Sequence, residues 1–369
     1  MKKKIIATVT NTLVQDQRMI RICTTLVDLG FDVLLVGRQS KDSPDLQDYA
    51  FAQKRLRCIF RTGVLFYVEY NIRLFIYLFR TKHDIVYTVD TDTLIAGGMI
   101  KYIRGKKQIY DAHEYFTEVP ELKSKPIKRW IWNRIEDVFV PKADLHITVS
   151  DSLAKIFSAQ FQRVFHTIRN VPTYTPSISK IKQNKAHTIV YQGVLNVGRG
   201  LEEMIGAMTK IHQTNLAIIG EGDIAEKLRN LADQSPAKDR IHFLGWKSAE
   251  EMIEITQNAD LGINLLDGRS KSYYYSLANK FFDYMHAGIP SVNMDYPEYR
   301  DIVHQHEVGI LLSHLTPDHI AQTITSCLAD ETLMERMKKA CAYASEIYNW
   351  LEESKKLGVL ILELTEKNS

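Results

Sequence analysis

The polar residues with the most distinctive spacing lie within residues 273–294. We predict a helix from about Leu277 that places Asn279, Lys280 and Asp283 three and four residues apart, so that their side chains can converge. A cation in the first turn of a helix opposes the macrodipole unless an anion binds there. Free backbone N–H groups at that end suit a phosphate. The spacing also fits an ordinary surface lysine–aspartate pair, and the residues alone leave both interpretations open.

The same stretch predicts how this helix is positioned. Ser276 is of the residue type that caps helix N-termini, and Gly288 and Pro290 are expected to end the helix and begin the next strand. One face of the helix is apolar, and we expect it to be buried: Leu277, Phe281, Tyr284 and Met285.

A second group of polar residues follows a predicted strand at residues 108–111. Asp111, His113 and Glu114 lie at its carboxyl end, which is the side where open α/β sheets bind ligands. For Asp111 and Glu114, a capping role and simple exposure to solvent also explain the residue types.

Two patterns suggest a metal site without supporting one. Asp90 and Asp92 match an Asp-x-Asp metal-binding pattern, but capping of the helix that follows is the better interpretation. His304 and His306 have no third ligand at a useful spacing. We therefore predict no metal site.

The elements that must hold these residues alternate along the chain. Most apolar runs are continuous Ile, Val and Leu segments, as expected of parallel strands that are buried on both faces. We predict strands at residues 5–9, 33–37, 85–89, 108–111 and 145–149, and at 189–193, 216–220, 241–245, 261–266, 291–294 and 309–312. Helical patterns separate them and continue after residue 312, which indicates a doubly wound α/β architecture.

The chain of 369 residues has room for about two and a half domains. Residues 172–187 contain Pro172, Pro176 and three lysines, which is a linker composition. We predict a Rossmann-like domain at residues 1–178, a second one at residues 179–345, and a C-terminal helix at residues 346–369 that crosses back to the first.

Composition narrows the possible functions. With 45% hydrophobic and 25% charged residues, the chain is neither disordered nor fibrous, and a net charge of +3 gives little support to nucleic-acid binding. The four cysteines have no metal-ligand or CxxC spacing, which favours free thiols in a reducing compartment. No apolar run approaches the length of a membrane span. We therefore expect a cytoplasmic protein that is soluble or peripheral to the membrane.

The run from Asn279 to Met285, with Gly288 and Pro290, resembles the donor-site signature of retaining glycosyltransferases of family 4. The resemblance implies a GT-B arrangement of two Rossmann-like domains with a C-terminal helical tail. It also implies that Lys280 neutralises the donor diphosphate and that Asp283 accepts hydrogen bonds from the ribose, with Asn279, Ser276 and Leu277 beside them. The family usually has two Glu residues eight positions apart; here Asp283 stands at the second and Tyr275 at the first.

Other motifs occur in the order that the family has. Residues 191–193 and 198–202 resemble the first strand and loop of the donor domain, which implies that Gly193 and Arg199 lie at the diphosphate. Without the family, Arg199 between two glycines is also consistent with a plain loop residue. Trp246 follows a similar strand, where it can flank the nucleotide base or belong to the core.

The resemblance also assigns residues of the N-terminal half. It implies that His113 lies beside the transferred sugar, because the family has a similar Asp-x-His element. Glu114, Asn11 and Arg18 are the candidates for the acceptor side. The implied chemistry is metal-independent and uses no cofactor besides the nucleotide-sugar substrate.

A basic helix is predicted from Ser124, as its cap, to Val140. Its apolar stripe comprises Ile127, Trp130, Ile131, Ile135 and Val138, and its cations are Lys125, Lys128, Arg129 and Arg134. Such helices place peripheral enzymes on anionic membranes. A helix packed on its sheet with a solvated basic face is the favoured alternative.

The sequence thus predicts a retaining hexosyltransferase. It would move a sugar from a nucleotide-diphosphate sugar to a hydroxyl of a glycan or lipid-linked acceptor, in cell-surface polysaccharide synthesis. Residues 125–140 are the candidate contact with the inner face of a membrane. A sugar-nucleotide epimerase of the same fold and a non-catalytic nucleotide-binding subunit remain alternatives. A nicotinamide-dependent dehydrogenase is disfavoured, because no strand-linked GxGxxG motif occurs.

Overall fold

Every pair of neighbouring strands runs parallel in the computed structural model, which describes residues 2–14, 16–41, 43–174 and 186–366. The chain divides into two compact units. The N-terminal unit comprises residues 1–170 and 352–369, and the C-terminal unit comprises residues 171–351. The predicted domain boundary at residues 178 and 179 lies outside the described residues.

The N-terminal unit contains a sheet of order β3-β2-β1-β4-β5-β6-β7. Crossover from the centre of the sheet to each side in turn is the doubly wound topology. The strands are β1 (Lys4–Thr8), β2 (Asp32–Gln39), β3 (Ala52–Arg57), β4 (Ile85–Val89), β5 (Lys107–Ala112), β6 (Leu145–Thr148) and β7 (Phe165–Thr167). The helices are α1 (Gln17–Asp28), α2 (Gly63–Arg80), α3 (Asp90–Arg104), α4 (Pro120–Lys123), α5 (Pro126–Phe139) and α6 (Asp151–Phe161).

The C-terminal unit repeats this topology, with the order β10-β9-β8-β11-β12-β13. Its strands are β8 (His187–Gln192), β9 (Thr214–Ile219), β10 (Ile241–Gly245), β11 (Leu261–Asn264), β12 (Ser291–Met294) and β13 (Gly309–Leu312). Its helices are α7 (Leu201–Ala207), α8 (Ala225–Asp233), α9 (Ala249–Gln257), α10 (Lys271–Tyr274), α11 (Asn279–His286), α12 (Pro297–His306), α13 (Pro317–Ala329) and α14 (Glu331–Ile347). The doubly wound α/β prediction is confirmed for both units.

Strands β3 and β7, which form the two edges of the N-terminal sheet, are not among the predicted strands. Strand β3 has the sequence AQKRLR and is only partly covered. An edge strand does not need apolar residues on both faces, so it lacks the continuous apolar run that identified the central strands.

The last helix, α15 (Trp350–Glu366), joins the N-terminal unit from residue 352 onward. Leu357 and Ile361 are completely buried. The Arg169 amide donates to Glu353 Oε2 at 3.0 Å, and Lys3 Nζ donates to the Thr365 carbonyl at 3.0 Å. From residue 352 onward, the helix is therefore held against the N-terminal unit by hydrogen bonds near both ends and by buried apolar residues between them.

Close backbone packing supports the first loop of the C-terminal unit. Gly220 has φ of 131°, and a Cβ at this position would lie 2.0 Å from the Gly193 carbonyl oxygen. Gly193 N donates to the Ile219 carbonyl at 3.0 Å, and Gly220 N donates to the Gly245 carbonyl at 2.8 Å. The turns that follow three neighbouring strands are thus in direct backbone contact.

We expect Gly220→Ala to lower the free energy of unfolding by about 2–4 kcal/mol, since the new methyl group meets backbone and the backbone angle is unsuited to alanine. Urea unfolding followed by circular dichroism measures this change. Gly245→Ala is the matched control, because φ is also positive (67°) but the nearest atom to its Cβ is 3.6 Å away. It should lose about 1 kcal/mol. If both variants lost the same free energy of unfolding, the close contact between Gly220 and the Gly193 carbonyl would not be the cause.

Candidate functional site

Lys280 is a buried lysine in the first turn of α11, with 8% of its surface exposed. Its ammonium nitrogen lies 3.6 Å from the centroid of the Tyr191 ring, at the end of β8. In the described part of the chain, no carboxylate or carbonyl accepts a hydrogen bond from this ammonium. Nearby Gly193 has φ of 129°, and a Cβ on it would lie 3.4 Å from Lys280 Nζ. The loop after β8 therefore leaves space next to the ammonium.

Arg199 is the second cation of this site. It lies between Gly198 (φ 82°) and Gly200 (φ 69°), and its guanidinium carbon is 4.7 Å from the centroid of the Tyr273 ring. A Cβ at Gly200 would lie 2.2 Å from the Leu265 carbonyl, so only glycine fits the turn that directs Arg199. Arg199 Nε is buried and has no hydrogen-bond partner among the described residues.

The electrostatics of the two cations favour an anion. Burial and the positive charge of Arg199 lower the pKa of Lys280 well below its usual range, and Asp283 only partly opposes them. Two like charges held close together repel one another, which disfavours the charged form of Lys280. A bound phosphate relieves both the repulsion and the missing hydrogen bonds.

A short chain of hydrogen bonds orients Asp283. Gln192 Nε2 donates to Asp283 Oδ2 at 2.7 Å, and Gln192 Oε1 accepts from the Thr256 hydroxyl at 2.8 Å. The backbone N–H of Gln192 donates to the hydroxyl of fully buried Tyr284 at 3.2 Å. The carboxylate is therefore held at the end of β8, on the same strand end as Gly193.

The structure brings some of the predicted donor residues together and corrects one. Lys280, Asp283, Gly193 and Arg199 surround the end of β8, and the face of α11 that was predicted to be apolar is buried. The prediction that Ser276 caps α11 is wrong. Its hydroxyl donates to the Tyr273 carbonyl at 2.8 Å, and Ala278 occupies the N-cap position without a side-chain bond.

The remaining predicted donor residues differ in exposure. Leu277 is buried, whereas Asn279 is exposed at the start of α11. Trp246 has 66% of its surface exposed, so it does not belong to the core. Gln192 and Thr256 belong to this site although neither is among the residues predicted from the sequence. Gln192 could have been noticed as a buried polar residue just before Gly193, but the Thr256 contact spans 64 residues of sequence.

A different buried network lies in the N-terminal unit at the end of β5. Arg18 and Asp111 form a two-pronged ion pair with N–O distances of 2.8 and 3.1 Å, and their side chains are 2% and 0% exposed. Arg18 also donates to the Ile168 carbonyl, and the Tyr87 hydroxyl donates to Asp111 Oδ2 at 2.7 Å. Burial opposes ionisation of Asp111, but Arg18 and His113 outweigh it and hold the pKa of the carboxyl below its usual range.

His113 completes this network between two carboxylates. Its Nε2 lies 3.1 Å from Asp111 Oδ2, and its backbone N–H donates to Asp90 Oδ1 at 2.8 Å. Burial opposes the charged imidazole, yet Asp111 and Asp90 raise the pKa of His113. Burial also raises the pKa of Asp90 to about 8. Asp90 has the left-handed backbone angle φ of 52°, which is uncommon for a residue other than glycine.

These contacts correct several expectations. Asp90 and Asp92 do not cap α3 through their side chains; Asp90 accepts from His113, and Asp92 accepts from the Thr10 hydroxyl. Arg18 faces the interior and not an acceptor, because Asp111 and Ile168 bind its guanidinium. The capping and solvent-exposed alternative for Asp111 is wrong for the same reason.

The other acceptor-side candidates lie nearer the surface. Asn11 is exposed, with its side-chain amide donating to Asp16 Oδ2 at 2.6 Å and accepting from the Leu13 amide at 2.9 Å. Glu114 is also exposed. Within the described ranges, no three His, Cys, Asp or Glu side chains are grouped in a way that could hold a metal ion.

Most of the predicted apolar stripe of the basic helix α5 faces outward, although Ile135 is half-buried and Phe139 packs against Gly98 of α3. The exposed apolar residues of α5 include Ile127, which has 75% of its surface exposed, and Trp130, with 59%; Ile131 and Val138 are exposed as well. The buried side instead contains Glu136, which accepts from the Thr91 hydroxyl at 2.6 Å. The N-cap position of α5 is occupied by Lys125, and the prediction that Ser124 caps this helix is wrong. No helix in the described ranges is long and apolar enough to cross a bilayer.

Two doubly wound units in one chain are the domain composition of the GT-B fold, and solved structures share this fold. The sucrose-phosphate synthase of Thermosynechococcus elongatus superposes with a TM-score of 0.85 over 100% of both chains, at 16% identity. HepE of Anabaena in complex with UDP-glucose superposes with a TM-score of 0.75 over 98% of this chain and 99% of that one, at 15% identity.

Two family models match the sequence. Residues 16–171 match the one described as Glycosyltransferase Family 4, and residues 177–342 match the one described as Glycosyl transferases group 1. The chain belongs to glycosyltransferase family 4. It is 28% identical over 176 residues to an uncharacterised glycosyltransferase of Methanocaldococcus jannaschii, an alignment that spans 46% of this chain and 43% of that relative.

We expect Asp90→Asn to stabilise the protein, and to do so more at pH 8 than at pH 5. The pKa of Asp90 is raised in the folded state, so the wild type loses stability as pH rises from the unfolded value near 4 toward about 8. Asparagine cannot ionise, keeps the acceptor for His113, and tolerates the left-handed backbone. Urea unfolding at the two pH values measures the difference.

Asp137→Asn is the control, since this carboxylate lies in the same unit with its side chain 50% exposed. The free energy of unfolding of Asp137→Asn relative to the wild type should not rise between pH 5 and pH 8. A stability change in Asp90→Asn that is the same at pH 5 and pH 8 would refute buried ionisation as the cause.

Proposed function

We propose that this protein is a retaining glycosyltransferase that moves a sugar from a nucleotide-diphosphate sugar to a hydroxyl of a glycan or lipid-linked acceptor, in cell-surface polysaccharide synthesis. The observation that carries the proposal is the pair of cations at Arg199 and Lys280, which lack a hydrogen-bonding partner among the described residues. The fold shared with a protein solved with UDP-glucose supports a nucleotide-sugar donor.

We propose residues 179–345 as the donor domain. Arg199 and Lys280 bind the diphosphate, for which the turn at Gly193 leaves room. Asp283, fixed by Gln192, accepts hydrogen bonds from the ribose hydroxyls. In this proposal, exposed Trp246 stacks on the base, and Asn279, Ser276 and Leu277 at or just before the start of α11 complete the donor site.

In the proposed reaction, the bond between the anomeric carbon and the diphosphate oxygen breaks while the acceptor oxygen bonds to the same face of that carbon. The departing diphosphate gains negative charge in the transition state, where Arg199 and Lys280 stabilise it electrostatically. The acceptor proton passes to the departing phosphate oxygen. The configuration at the anomeric carbon is thereby retained.

We propose residues 1–178 as the acceptor domain, with the C-terminal helix of residues 346–369 attached to it. His113 contacts the transferred sugar, and Asn11 and Glu114 contact the acceptor. Arg18 acts as a positioning residue, because it binds Asp111 and Asp111 in turn binds His113.

We also propose that α5 contacts an anionic membrane, at the inner face where the acceptor is used. The helix exposes Trp130 and Ile127 together with Arg134, whose side chain is 64% exposed. Exposed apolar residues interleaved with cations suit the interface of a bilayer that contains anionic lipids.

The donor site is tested by Arg199→Ala and Lys280→Met. We expect each to reduce transfer by 100-fold or more and to abolish the rise in melting temperature that a bound nucleotide produces, in a screen of UDP, GDP and ADP. Arg269→Ala is the matched control, because this arginine of the same unit pairs with Asp267 and its side chain is 84% exposed. Transfer at the wild-type rate in both site variants would refute the assignment.

Proton uptake provides a second readout for Lys280. Its pKa is lowered in the free protein, and a bound diphosphate raises it, so binding takes up protons and tightens as pH falls. Titration calorimetry in two buffers of different ionisation enthalpy measures the uptake, which Lys280→Met should remove. Product analysis with a labelled donor separates transfer from epimerisation and from binding alone.

Membrane contact is tested by vesicle flotation. Vesicles rich in phosphatidylglycerol should bind the protein at low salt, and Arg134→Glu and Trp130→Ser together should weaken binding about tenfold or more. Lys238→Glu, on the C-terminal unit, serves as the charge control. Equal binding of the double variant and the wild type would exclude α5 as the contact.

A further inference from the structure

A cavity of about 300 Å³ opens in the N-terminal unit beside α2 and α5. This volume is at the lower end of the range of small-molecule binding sites. Its lining is predominantly apolar and includes Val64, Tyr67, Val68, Ile95, Phe116 and Trp132.

The inner wall offers little to a polar ligand. The Trp132 ring packs edge-on against Tyr67 and Phe116, with centroids 5.1 and 5.2 Å away. Asn71 is buried, and its amide is satisfied within the protein: it donates to the Tyr67 and Asp92 carbonyls and accepts from the Ala96 amide. The wall therefore suits hydrocarbon.

The entrance differs from the inner wall. Lys125 and Lys128 are exposed at the start of α5 and supply two positive charges at the edge of the cavity. Val64 and Val68 of α2 are 52% and 51% exposed there. An occupant with an apolar chain and an anionic end matches both features, whereas an uncharged peptide would leave the lysines without a counter-charge.

Exposed apolar residues continue beyond the cavity on both helices. On α2 they include Leu65 and Ile72, at 58% and 55% exposure, and on α5 they include Ile127 and Trp130. Large exposed apolar patches are uncommon on monomeric proteins and mark interaction sites, and both helices that line the cavity carry several such exposed residues. A chain that leaves a bilayer at this surface would enter the cavity without crossing water.

The cavity also adjoins the elements that carry the acceptor-side residues. Phe116 follows His113 by three residues, and Ile95 lies on α3, which begins at Asp90. Asn71 accepts from and donates to the first turns of this same helix. A ligand in the cavity is thus held by the segments that hold His113 and Asp90.

We propose that this cavity binds the first part of the hydrocarbon chain of a lipid phosphate, with the phosphate at Lys125 and Lys128. The proposal rests on the glycosyltransferase function above and narrows its acceptor to a lipid-linked one. Membrane contact and chain binding can be tested separately, because Trp130 and Arg134, the residues changed in the vesicle experiment, do not line the cavity.

The test uses dodecyl phosphate, octyl phosphate and inorganic phosphate as probes, in titration calorimetry below the micelle concentration. Each buried methylene contributes about 0.8 kcal/mol, so the dodecyl probe should bind on the order of 100-fold more tightly than the octyl probe. Inorganic phosphate should show no measurable binding at the same concentrations. Equal affinities for all three probes would indicate an adventitious surface ion and overturn the proposal.

Matched variants locate the binding. Val68→Phe narrows the cavity and should lower the affinity for dodecyl phosphate at least tenfold. Ile72→Phe, one turn along the same exposed face, should change this affinity less than twofold. The double variant Lys125→Gln, Lys128→Gln should lower the affinity for dodecyl phosphate about tenfold. Lys123→Gln, which lies outside the cavity, should leave this affinity unchanged. Unchanged affinity in Val68→Phe would overturn the proposal, even if vesicles still bind.

Two further measurements separate the alternatives. Nucleotide should raise the melting temperature of Val68→Phe as it does that of the wild type, which shows that the variant is folded. If dodecyl phosphate binds as expected but no nucleotide stabilises the wild type, the cavity assignment stands and the proposed function falls. A lipid-free dimer that Val68→Phe dissociates, without chain-length-dependent binding of the probes, would assign the surface to a second copy instead.

Discussion

Parallel strand pairing is the constraint on which the rest of this structure depends. A parallel strand must be followed by a crossover, which places helices on both faces of each sheet and all carboxyl ends at one edge. In the N-terminal unit this edge holds Asp90, Asp111 and His113, and in the C-terminal unit it holds Gln192 and the loop to Arg199. Residues far apart in the sequence therefore become neighbours without any dedicated binding element.

The two edges carry opposite electrostatic arrangements. In the N-terminal unit, carboxylates surround His113, and Arg18 offsets part of their charge from the interior. In the C-terminal unit, Arg199 and Lys280 repel one another, and Asp283 only partly offsets the effect of this repulsion on Lys280. Such arrangements reduce the stability of the folded chain, and proteins retain them where a ligand or a reaction makes use of the charge.

The outer helices show that helical periodicity does not identify the buried face. The stripe of α5 has the spacing of a core-facing helix, yet Ile127 and Trp130 are exposed and Glu136 is buried. Buried Glu136 accepts a hydrogen bond from Thr91, which is 45 residues away in the sequence. Neither local sequence predicts this contact. The exposed stripe is what connects α5 to the proposed membrane surface and to the cavity beside α2.

The sequence by itself determined the alternation of strands and helices and the family, and it singled out Arg199, Lys280 and Asp283 as candidate donor-site residues, because these follow from local periodicity and short motifs. Only the tertiary structure decided that Gln192 and Thr256 orient Asp283, that Arg18 serves Asp111, and that edge strands β3 and β7 exist. The physical reason is that hydrogen bonds and burial depend on distances in space. Periodicity reports which face of an element is apolar, but the partner that covers this face is set by the packing of the whole chain.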